Sequence, residues 1–133
     1  VKVIQSFGEV STDPALLVTT RAFAEAHPQA LVRVLASMID MYKVITTQPQ
    51  AAGKLAADSE AQSGATVAPA AFTRAFQHMS FDMRVTPASI AALQSVGDFM
   101  LKAHRISAVP DFSKLVDMRY LDEAEKLASR GGK

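Results

Sequence analysis

Between Leu31 and Ile45 the apolar positions recur three and four residues apart, at Leu31, Val34, Leu35, Met38, Met41, Tyr42 and Ile45. That is the period of one face of a helix. Val32 and Ile39 widen the face to about half the helix circumference, which leaves Arg33, Ser37 and Asp40 as a narrow wet side. Pro28 suits the first helical position, where a missing N–H costs nothing, so the pattern predicts a helix over Pro28–Thr46. So wide an apolar face predicts packing against a sheet and other helices.

Upstream the pattern is that of extended chain. Val1, Val3 and Phe7 alternate in part with polar neighbours, and Ala15–Thr20 is a short apolar run rich in strand formers. The run is apolar on both faces, as in a strand buried within a sheet. Gly8–Pro14 reads as a turn or crossing segment. Two strands do not make a stable sheet, so the pattern predicts strands supplied from outside this chain.

Downstream, prolines punctuate the chain. Pro49 opens a second helix through Ala51, Ala52, Leu55 and Ala56, which fades into a loop over Asp58–Gly64. Ala68-Pro69 opens a third, with Phe72, Ala75 and Phe76 inward. His78–Val85 has no clean period and reads as connecting chain. Thr86-Pro87 is an N-cap followed by a proline. It begins a fourth helix with Ile90, Leu93, Val96, Met100 and Leu101 as its core stripe. His104-Arg105 fall in its last turn, where positive charge is favoured. After a break at Val109–Asp111, a last helix over Asp117–Ala128 places Tyr120, Leu121, Ala124 and Leu127 on one face. Arg130–Lys133 should fray.

Composition narrows the functional classes. The 133 residues are one domain's worth, 49% apolar and 20% charged, in the range of soluble globular proteins. The net charge of +1 provides no electrostatic footprint for nucleic acid. No apolar run reaches membrane-spanning length, and the absence of cysteine excludes disulfides and thiol chemistry. His27, His78 and His104 are far apart and read as structural or solvent-facing. No phosphate loop, nucleophile elbow or cluster of ligating residues occurs, so the chain reads as non-enzymatic, with no cofactor and no metal. The six methionines read as core filler. Ser11-Thr12-Asp13, small polar residues leading into an apolar strand, can set side chains and amides at the edge of a cleft.

Four segments carry a resemblance. They are Val18-Thr19-Thr20-Arg21-Ala22-Phe23-Ala24-Glu25-Ala26-His27-Pro28, Gln48-Pro49-Gln50-Ala51-Ala52, Asp98 through Pro110, and Leu115-Val116-Asp117-Met118-Arg119-Tyr120-Leu121-Asp122-Glu123-Ala124. In this order they resemble the C-terminal portion of the nitrate/sulfonate/taurine class of periplasmic solute-binding proteins of ABC transporters, over nearly the whole chain. The resemblance implies a helix-rich α/β fold, a partial type II periplasmic-binding-protein fold that keeps the remnant of a doubly wound sheet. Residues 1–10 would end the second lobe, 11–20 would form the hinge-crossing strand, and 21–133 would be the helical end of the first lobe. Ser11, Thr12 and Asp13 would then be the ligand-binding residues.

The function so implied is non-catalytic binding of a small anionic or aromatic solute, such as a sulfonate, taurine or nitrate, for delivery to an ABC permease. The location would be periplasmic or otherwise extracytoplasmic, with the export signal outside this chain. The opening Val1-Lys2-Val3-Ile4 lacks an initiator Met and reads as a mature or trimmed piece. A fragment of that kind would carry unfilled apolar surface and self-associate through it. The alternative is a stand-alone, mostly helical protein-interaction domain, whose helices close a core on their own.

Overall fold

The computed structural model describes residues 15–131, and the chain it shows is helical. In order come α1 (Arg21–Ala26), α2 (Pro28–Thr47), α3 (Pro49–Gln62), α4 (Pro69–Gln77), α5 (Pro87–Lys102), a 3₁₀ turn (Phe112–Lys114) and α6 (Arg119–Gly131). The described residues form two compact units. One combines the described part of Val1–Glu25 with Arg84–Met118, and the other combines Ala26–Met83 with the chain from Arg119 on.

The expected α/β fold is overturned. Among the described residues there is no strand and no sheet, so no remnant of a doubly wound sheet is present. Ala15–Thr20, the described part of the expected hinge strand, runs without helix, strand or turn, and Val18 is 81% exposed. The physical reason is that a strand exists through the ladder it shares with a neighbour, and this run meets none among the described residues. Its strand-forming composition fits a pleated, half-buried surface that the described chain does not supply. The expectations for residues 1–10 and 11–14 lie outside the described residues.

The local helix signals hold well. Pro28, Pro49, Pro69 and Pro87 each occupy the start of a helix. Gln48 alone joins α2 to α3: its N–H donates to Val44 O at 2.8 Å while its carbonyl accepts from Ala52 N at 3.0 Å. Thr86 caps α5 reciprocally, its hydroxyl accepting from Ser89 N at 3.2 Å while its own N–H donates to Ser89 Oγ at 3.3 Å. That arrangement satisfies two of the amides a helix start leaves open. The helix α3 runs on to Gln62, through residues expected as loop, and stops at Gly64 with φ 84°.

The unit of Ala26–Met83 and the chain from Arg119 has α2 as its spine. Against α2 lies α6, with Val32 and Ala36 meeting Ala124 and with Leu35, Ile39, Tyr120 and Ala128 packed around them. Ala124 is fully buried. Small side chains at Ala36, Ala124 and Ala128 let the two helices approach closely. On α3, Gly53 serves the same purpose against α4, because a Cβ there would stand 2.8 Å from Pro69 O and closer still to Thr73 Oγ1. Tyr42, Phe76 and Phe81 close this unit, with ring centroids 5.1 Å apart for Tyr42–Phe81 and 6.1 Å for Phe76–Phe81.

The wide apolar face of α2 is only partly used. Leu31, Val32 and Ala36 are buried and Leu35, Met38, Ile39, Tyr42 and Ile45 are half-buried, but Val34 and Met41 share the outer side with Arg33, Ser37 and Asp40. With no sheet to cover among the described residues, α2 buries the strip that α6 and α3 can reach.

Candidate functional site

The unit that contains Arg84–Met118 is built on α5. Leu93, Val96, Gly97 and Met100 recur at three- and four-residue spacing and form one wall of an open groove. The chain then turns back, and Ile106, Ala108, Val109, Pro110 and Phe112 form the other wall. The volume between them is about 620 Å3, within the range that holds a small organic ligand. Every lining side chain is apolar, and Val96 remains 43% exposed.

Two local devices make the turn-back. At the end of α5, His104 N donates to Leu101 O at 3.0 Å and Arg105 N donates to Met100 O at 2.8 Å. This pair of bonds ends a helix through a residue in the left-handed region, here His104 with φ 55°. Further on, Asp111 accepts from Ser113 N at 3.2 Å and from the Ser113 hydroxyl, and pairs with Lys114 Nζ at 2.9 Å, which holds the 3₁₀ turn. The Ser113 hydroxyl, with Lys114 beside it, holds the Asp111 carboxyl below its ordinary value. Gly97 sets how closely the walls meet, since a Cβ there would stand 2.7 Å from Val109 Cγ1 and 3.1 Å from Phe112 Cε2.

Two basic residues stand next to groove residues along the chain. Arg105 follows the helix end and directly precedes Ile106 of the second wall, and Lys102 lies in the last turn of α5. Among the described residues neither makes an ion pair. The neighbouring carboxylates have their own partners: Asp98 accepts from Gln94 Nε2 at 3.3 Å, and Asp111 is held as above. No group of three or more ligating side chains that could hold a metal ion occurs among the described residues. No helix among them is long and apolar enough to cross a membrane.

The expected ligand residues Ser11, Thr12 and Asp13 lie outside the described residues. Of the expected α5 core stripe, Ile90 and Leu93 are half-buried, while Val96 and Met100 line the groove and Leu101 is exposed. The wall from Ile106 to Phe112 was not singled out by its sequence pattern, except as a break at Val109–Asp111. A glycine in the middle of an apolar helical stripe was the available signal, because it marks a close approach of other chain.

Comparisons with protein-family models, with curated proteins and with solved structures find no match to this chain.

Proposed function

We propose that this chain is a non-catalytic helical binding module whose working surface is the α5 groove. The observation that carries this reading is the groove itself: two apolar walls around about 620 Å3, left open beside α5. An apolar groove in water is a surface that gains free energy when an apolar group fills it, roughly 25 cal/mol for each Å2 covered. The all-apolar lining has no converging polar groups of the kind that would orient a reaction. Of the two readings the sequence supports, the mostly helical protein-interaction domain does not call for a sheet. The ABC-type solute-binding reading drew on a sheet that the described residues do not contain.

The test is binding of N-phenyl-1-naphthylamine, a neutral apolar fluorophore, with Val96→Asp as the blocked control. The reading expects a saturable fluorescence increase that Val96→Asp removes while the circular dichroism spectrum is unchanged. An equal signal from both proteins would reject the groove as the working surface. A thermal shift with taurine, nitrate or an aromatic sulfonate that survives Val96→Asp would return the solute-binding reading to first place.

A further inference from the structure

We draw no further inference here: the strongest candidate, the open apolar groove between α5 and the wall from Ile106 to Phe112, belongs to the site already described, and nothing in the structure shows what covers it.

Discussion

Replacing Gly53 by alanine tests how the helices of the α2 unit are held together. In an isolated helix the change should help, since alanine is about 1 kcal/mol better than glycine at an interior position. Here the added Cβ meets two groups of α4. One is the Thr73 hydroxyl, which donates to Pro49 O at 3.3 Å and Pro69 O at 3.2 Å and gives up those contacts if it rotates away. The other is Pro69 O itself, 2.8 Å from the new carbon and fixed in the backbone. The carbonyl cannot swing aside, so α3 and α4 must separate. Overpacking of this kind costs about 1–3 kcal/mol, and a backbone clash belongs at the upper end. Subtracting the propensity gain of about 1 kcal/mol leaves a net loss of about 2 kcal/mol, or roughly 8 °C in melting temperature at this chain length. Urea denaturation followed by circular dichroism at helical wavelengths measures it. The control is Gly131→Ala, where the new carbon meets nothing within 4 Å and stability should hold or rise slightly. If Gly53→Ala stabilised the chain by the bare propensity difference, the close α3–α4 contact would be refuted.

Gly64 and His104 occupy equivalent left-handed positions after α3 and α5. His104→Gly should therefore raise stability by about 1 kcal/mol and Gly64→Ala lower it by about as much, both read by urea denaturation. Ala124→Leu forces three carbons into the fully buried α2–α6 seam and should cost about 1–3 kcal/mol, whereas Leu127→Glu, on a residue 43% exposed, should stay within about 0.5 kcal/mol. Carbon-detected NMR should find the Asp111 carboxyl titrating below the usual aspartate range, and Ser113→Ala should move it upward. Because its value is lowered on folding, whatever Asp111 contributes is present above the ordinary aspartate range and fades as pH falls through the lowered value.

What the sequence revealed, and what it hid, divides by the range of the forces involved. Helix starts at Pro28, Pro49, Pro69 and Pro87, and the cap at Thr86, depend on residues within one turn of each other, and they were legible. Ala15–Thr20 was misleading because strand composition specifies a need for neighbours and not their presence. The stripe of α5 was ambiguous for a related reason. Leu93, Val96 and Met100 have the same spacing whether the opposing surface covers them or leaves a groove. That choice is made by Val109 and Phe112, a dozen or so residues on.

Gly97 is where the two ranges meet. As a mid-helix glycine it weakens α5 by about 1 kcal/mol relative to alanine, and the local pattern offers no return for that loss. The return comes from Val109 Cγ1 and Phe112 Cε2, which stand where a Cβ would be and so bring the second wall against the first. Gly53 does the same for α3 under Pro69 and Thr73. The buried apolar residues are chiefly alanines, and no large side chain among the described residues is fully enclosed. Contact between helices therefore depends on near approach of backbones more than on thick interdigitated side chains. A groove built on such an approach keeps its width only while the glycine remains, which ties the dimensions of the groove to a single hydrogen in place of a side chain.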